Sequence, residues 1–340
     1  MSKIICFGEI MLRLNPPGYL RIVQSDQFMA TYGGAEANVA VSLANFGMDS
    51  IFVTKLPDNE LGKAALNALR QYGVNTDTIV HGGNRLGIYF LEKGASQRAS
   101  KVIYDRKYSA FSEARPEEFD WKEIFKNAHW FHFSGITPAL GEASASACML
   151  ACKIAKEYGL TVSCDLNYRK NLWSRERANK VMSELMKYVD VCIANEEDAS
   201  DVFGISAEGT DVTSGLISHR SYEKVARTIT NKFGCKYVAI TLRTSISAND
   251  NEWAGMLLSG DGCYYSKTYP IHIVDRVGGG DSFSSGLIYS LLAGQDPQSA
   301  VEFAVAASCL KHSIEYDFNL VSVAEVESLV KGNVTGRVQR

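Results

Sequence analysis

The stretch Gly278-Gly279-Gly280-Asp281 carries the sharpest chemical signal in the chain. Three consecutive glycines leave a turn without Cβ atoms, so the backbone can adopt positive φ and a ligand can approach it closely. An apolar run at helical spacing follows (Phe283, Leu287, Ile288, Leu291, Leu292), and Gly294 closes it. The turn therefore opens a helix, where free N–H groups and the helix dipole favour an anion. Asp281 sets a carboxylate beside that anion site. It suits an N-terminal cap, and it equally suits a base directed at whatever the anion is bonded to.

Two more polar clusters stand where a catalytic edge would be. Asp165-Leu166-Asn167-Tyr168-Arg169 follows the apolar run 160–164, and Asn195-Glu196-Glu197-Asp198 follows 191–194. Each cluster taken alone also reads as helix capping. In open α/β sheets, however, ligands bind beyond the carboxyl ends of the strands. Three strands delivering polar groups to one edge, with a glycine turn for an anion, point to phosphate handling.

The elements that must position these residues alternate along the chain. Strands are expected at 3–9, 50–55, 129–133, 160–164, 191–194, 237–242 and 271–274. Helices are expected at 60–72, 142–158, 175–188, 196–203, 221–233, 297–311 and 323–330. This alternation predicts a doubly wound, mostly parallel α/β sheet with helices on both faces. Residues 253–267 predict a hairpin around Ser259-Gly260-Asp261-Gly262. Another helix opens at Gly33-Gly34 with Asn38, a poor helix former, in its first turn; that position calls for a local partner or a ligand. Residues 10–33 and 80–112 break the alternation, and 86–92 with 101–106 read as a hairpin. These two stretches predict a small sheet set apart from the main one, within a single unit spanning 1–340.

Composition narrows the function classes. The chain has 340 residues, 46% hydrophobic and 21% charged, enough for one large core. A formal net charge of -3 gives no basic footprint for nucleic acid. No apolar run approaches a bilayer span, and Glu9 interrupts an N-terminal run too short for a signal peptide. The 8 cysteines include no Cys-x-x-Cys pair and fit free thiols in a cytoplasmic protein. The 6 histidines lack ligand spacing, and His129 and His132 flank Trp130 and Phe131 within an expected strand, in structural positions.

Gly33-Gly34-Ala35-Glu36-Ala37-Asn38-Val39-Ala40, Asp165-x-Asn167-x-Arg169, Asn195-x-x-Asp198 and Gly278-Gly279-Gly280-Asp281 resemble the motifs of the ribokinase/PfkB carbohydrate kinases. The resemblance covers nearly the whole chain. It implies a ribokinase-like fold with the small sheet as a lid over a sugar, and ATP and Mg²⁺ as cofactors. It makes Asp281 the catalytic base and Gly278, Gly279 and Gly280 the anion hole. Asn167, Asn195, Thr241, Arg243, Gly278 and Gly280 become nucleotide contacts. Glu197 and Asp198 become Mg²⁺ ligands, mostly through water, while Asp275 and the Val277 carbonyl become ligands of a monovalent cation, K⁺.

Within the family, Tyr89, Tyr104-Asp105-Arg106 and Lys311-His312-Ser313-Ile314-x-x-Asp317 resemble the branch that phosphorylates 2-keto-3-deoxygluconate at its 6-hydroxyl. The substrate set implied is Gly34, Asn38, Tyr89, Tyr104, Arg106, Arg169 and Asp317, with Arg106 and Arg169 suited to a sugar carboxylate. Arg106 alternatively pairs with its neighbour Asp105. Asp198 stands where the family more often has Glu, and Arg276 where a small or hydroxyl residue is common. A kinase for fructose or another sugar or sugar acid remains open, as does a non-catalytic sugar-binding protein. Exposed lid edges invite strand pairing, which suggests a lid-to-lid homodimer.

Overall fold

The computed structural model describes residues 2–195, 197–206 and 219–333. A nine-stranded sheet runs in the order 262–265, 250–259, 237–245, 191–194, 161–165, 130–134, 3–7, 49–53, with 269–272 also paired to 250–259. The six strands from 237–245 to 49–53 are parallel, and the hairpin strands at the other end are antiparallel. The central strands are short apolar runs: Ile4, Ile5, Cys6 and Phe7 are all fully buried. Helices cover both faces and bury one apolar cluster on each, as a parallel sheet requires.

Chain order reverses beside strand Lys3–Phe7. The chain first adds Asp49–Val53 on one side, then returns to lay Trp130–Ser134 and its successors on the other. A crevice at such a switch point is where doubly wound sheets bind ligands.

A separate four-stranded sheet is ordered 29–33, 11–15, 88–92, 101–105. It comes from the two stretches that break the alternation in sequence. Its two inner strands are parallel and its outer pairs antiparallel. The register sets Arg13 beside Tyr89 and Tyr89 beside Tyr104. Side chains directly opposite on neighbouring strands share a face, so these three line up across the sheet.

Element ends differ from expectation in informative places. Asp165 is the last residue of strand Thr161–Asp165, not the first residue after it. Strand Tyr269–His272 lies two residues earlier than expected, because it pairs antiparallel with 250–259. The expected helix 196–203 is observed as Asp198–Phe203, and Glu196 lies outside the described residues. Short helices at Trp121–Ile124 and Ile136–Ala139 were too brief to leave a periodic pattern. All eight cysteines are free, and no described helix is long and apolar enough to cross a membrane. His132 is buried against the Ser163 hydroxyl at 2.8 Å, and burial holds its pKa at about 3; its role is structural.

Phe7 anchors the sheet to the chain returning from the small sheet. Its ring packs edge-on against Phe111, Phe119 and Trp121, with centroids 4.9–5.3 Å apart. Phe7→Ala should lower unfolding free energy by about 3–5 kcal/mol, through lost transfer energy and a residual cavity. Urea unfolding checks this, and a loss below about 1 kcal/mol would show that the site collapses and refills.

Candidate active site

The helix Gly279–Leu292 begins at Gly278, which has φ +84°. Here glycine is required twice: the left-handed conformation disfavours other residues, and a Cβ would run into the Asp317 carbonyl. A Cβ at Gly279 would meet the His312 ring, whereas one at Gly280 would find nothing within 4 Å. Gly280 faces open cavity. Among the described residues, neither the Gly280 nor the Asp281 N–H has a protein acceptor. Two free amides at a helix N-terminus make an anion cradle.

That cradle opens into a cavity of about 570 Å³ between the small sheet and the carboxyl edge of the main sheet. Every site residue expected from the sequence lines it except Glu197 and Asp275. Glu197 is exposed, at the N-terminal end of the short helix that carries Asp198. Asp275 is buried against Arg13. A further set lines the cavity without having been assigned a role: Glu9, Glu36, Asp165, Trp253, Arg276 and His312.

Asp281 is buried at the cavity floor. Asn38 Nδ2 donates to its Oδ2 at 2.7 Å, and Asn38 Oδ1 accepts from the Gly34 N–H at 3.3 Å. Asn38 is thus held by its own helix start and in turn orients Asp281, leaving one amide hydrogen for a ligand. Burial pushes the Asp281 pKa up to about 7; Asn38 and Arg169 oppose the rise, while Asp317 and Glu36 add to it. A carboxylate titrating there can take a proton near neutrality.

On the small-sheet side, Arg106 does not pair with Asp105. Asp105 binds Arg85, and Arg106 donates from Nε and Nη2 to Glu9 Oε2 at 2.8 and 2.5 Å. Ser109 Oγ donates to the other Glu9 oxygen. Glu9 follows the first strand of the main sheet, so this pair ties the small sheet to the switch point. Arg106 Nη1 makes no protein hydrogen bond among the described residues and remains available on the cavity wall. Tyr89 is buried with its hydroxyl donating to Asp317 at 2.6 Å, while Tyr104 is exposed and offers a ring 5.5 Å from the Arg106 guanidinium carbon.

On the main-sheet side, Asp198 accepts from the Tyr168 and Asn195 N–H groups at 3.0 and 3.1 Å. It therefore clamps two strand-end loops together. Among the described residues, the Asp165 carboxylate accepts only the Asn167 N–H, at 3.1 Å. Burial raises its pKa well above the carboxylate range, and Asp198 and Asp281 raise it further. Such mutually repelling carboxylates favour a hard divalent cation. Among the described residues no three acidic, histidine or cysteine ligands converge. Arg243 and Arg276 lie by the glycine turn; burial and the Arg243 charge lower the Arg276 pKa. Two guanidiniums that repel one another gain from an anion between them.

The Asp281 shift has a consequence for stability. Its folded pKa of about 7 exceeds the ordinary 3.8, so the folded chain holds this proton more tightly than the unfolded one. The stability due to this group is complete below pH 3.8 and is lost as pH rises through about 7. Asp281→Asn removes the titration. The melting temperature of the variant minus that of the parent should therefore grow from about pH 4 to about pH 7, the window between the two pKa values. A constant difference by scanning calorimetry would contradict the assigned burial.

Known proteins share both sequence and architecture with this chain. A 2-dehydro-3-deoxygluconokinase from Thermotoga maritima has a solved structure that superposes with a TM-score of 0.94 at 56% identity, covering 98% of this chain and 100% of that one. A 2-dehydro-3-deoxygalactonokinase from Haloferax volcanii is 31% identical over 335 residues, 98% of each chain. At 18% identity, an E. coli protein solved with ATP and Mg²⁺ shares the fold, with a TM-score of 0.82 over 97% of this chain and 99% of that one. Residues 1–313 match the description pfkB family carbohydrate kinase. With its glycine cradle, its buried aspartate and this match, the chain belongs to the pfkB family of carbohydrate kinases.

Proposed function

We propose that the protein phosphorylates 2-keto-3-deoxygluconate (2-dehydro-3-deoxygluconate) at its 6-hydroxyl, using ATP and Mg²⁺, with Asp281 as general base. The observation that carries the substrate reading is the unused Nη1 of Arg106 on the cavity wall, with Arg169 lining the same cavity. Both can take a sugar carboxylate with charge-assisted bonds. The two relatives named above, kinases of 2-dehydro-3-deoxy sugar acids, support it.

In this reading each residue has a distinct role. Asp281 accepts the proton of the attacking hydroxyl as the new O–P bond forms and the bond to the ADP oxygen breaks. Asn38 keeps its carboxylate aimed. The Gly280 and Asp281 amides receive the charge growing on the phosphoryl oxygens. Asn167, Asn195, Thr241, Arg243 and Arg276, which line the cavity, would contact the nucleotide. Asp165 and Asp198 would hold Mg²⁺, partly through water, and the ion would neutralise phosphate charge there. Gly34, Tyr89, Tyr104 and Asp317 would surround the sugar.

A coupled assay with MgATP should favour 2-keto-3-deoxygluconate, or its galactonate epimer, over fructose and ribose. Preference for a neutral sugar would overturn the acid reading and leave the kinase. Arg169→Ala and Arg106→Ala should each raise KM for the acid by roughly tenfold or more, with smaller effects on neutral sugars. Arg106→Ala also strands Glu9, so its melting temperature should fall as well.

Asp281→Asn should lower kcat by about 10²–10⁴-fold, while the melting shift on adding nucleotide persists. The parent's kcat/KM should fall below about pH 7 as Asp281 takes up its proton. A variant with near-parental kcat would exclude Asp281 as the base.

A further inference from the structure

Directly behind the glycine turn lies a buried cluster of charges that never reaches the cavity as cations. Arg13, fully buried, donates from Nη2 to Asp275 at 2.5 Å and from Nη1 to Asp317 at 2.7 Å. Asp275 also accepts the Val277 and Tyr316 N–H groups, both at 3.1 Å. Asp317 also accepts the Tyr89 hydroxyl. Lys311, the last residue of the helix Pro297–Lys311, is equally buried, and its Nζ donates to the Ile314 carbonyl at 3.2 Å. A Cβ added at Gly278 would lie 3.2 Å from Lys311 Cε, so the ammonium stem packs against the turn. Burial lowers the Lys311 pKa to about 8, Arg13 lowers it further, and the Asp275, Asp317 and Asp281 charges oppose the fall.

A monovalent cation held by Asp275 and the Val277 carbonyl does not fit this arrangement. Such an ion needs a carboxylate with charge to spare. Here two carboxylates already face two covalently attached cations, so the formal sum is zero. An added ion would meet a guanidinium and an ammonium in a low-dielectric interior, where like charges repel strongly.

We propose that Arg13 and Lys311 stand in for the monovalent cation, so that this kinase needs no K⁺. The ε-ammonium carries the same charge as K⁺ and takes the same type of ligand, a backbone carbonyl. Neither residue lines the cavity. Both are positioning residues: Arg13 fixes Asp275 and Asp317, Lys311 packs its stem against Gly278, and the Asp317 backbone abuts Gly278 at the head of the anion cradle.

The test uses protein stripped of K⁺ and ammonium, then assayed in potassium, sodium or tetramethylammonium chloride at equal ionic strength. Rates with MgATP and the best sugar should agree within about twofold across the three salts. Melting temperatures without substrate should agree within about 1 °C. A K⁺-specific rate increase of about fivefold or more, or a K⁺-specific melting rise of several degrees, overturns the proposal. The melting arm needs no sugar, so failure of the substrate assignment leaves it intact.

Lys311→Ala opens the position that the ammonium fills. Its kcat should fall by about tenfold, with KM values changed less, and K⁺ or ammonium should restore it by about threefold or more while tetramethylammonium does not. Parental kcat without K⁺, or loss of activity that no small cation restores, overturns the role given to Lys311. If that variant does not fold, the salt series on the parent decides.

Discussion

The organising constraint is the crowding of carboxylates around a site built for anions. Asp281 sits at a helix N-terminus, where the dipole favours its charge, yet burial and the charges of Asp317 and Glu36 push its pKa to about 7. Asp165 is raised in the same way, with Asp198 and Asp281 as its repelling neighbours. A polyphosphate entering the cavity adds further negative charge. The site works only if cations arrive with it or are already there. Arg169 lowers the pKa of Asp165, Asp198 and Asp281 alike. Arg243 and Arg276 supply positive charge by the turn, and a divalent ion at the carboxylates would supply the rest.

This balance divides the cavity. His312 packs at a tilt against Trp253, with ring centroids 5.0 Å apart, and its Nδ1 lies 2.7 Å from the Ser308 carbonyl. Burial lowers its pKa to about 4. It therefore packs under Gly279 without adding charge, while Lys311, Arg276 and Arg243 make the potential there positive. Across the cavity, Glu9 pairs with Arg106 and leaves one guanidinium nitrogen without a protein partner among the described residues. A bare arginine there would attract any anion, including the nucleotide. An arginine fixed in two of its three nitrogens offers a directed contact instead, which favours one orientation of one carboxylate.

The legible part of the fold was the part governed by period and punctuation. Helices Pro297–Lys311 and Val323–Val330 were bounded to the residue because Asp296 and Ser322 cap them with side-chain oxygens. The site was legible where a residue contradicted its element, as with glycines opening a helix or Asn38 inside one. It was illegible where a charge was satisfied by a partner far along the chain. Arg13 reads as one polar residue in a half-buried strand, and nothing local announces Asp275 and Asp317 some 262 and 304 positions away. Glu9 looked like the end of a strand for the same reason, with Arg106 97 positions on. Glu197 and Asp198 are adjacent in sequence, but helix geometry turns only Asp198 inward.

These distant pairs explain why the small sheet and the anion cradle behave as one structural unit. Arg13 and Tyr89 are register neighbours on the two inner strands of that sheet, and both grip Asp317. The Asp317 backbone in turn bounds Gly278, where any Cβ would collide. A shift of the inner strands must therefore move the turn or break a buried ion pair, and breaking such a pair costs about 3–5 kcal/mol. Tyr104 is different. It lies on the outer strand, where all five residues are exposed, and it touches the same cavity. The inner strands are thus tied to the glycine turn through buried pairs, while the exposed outer strand can shift without disturbing that turn.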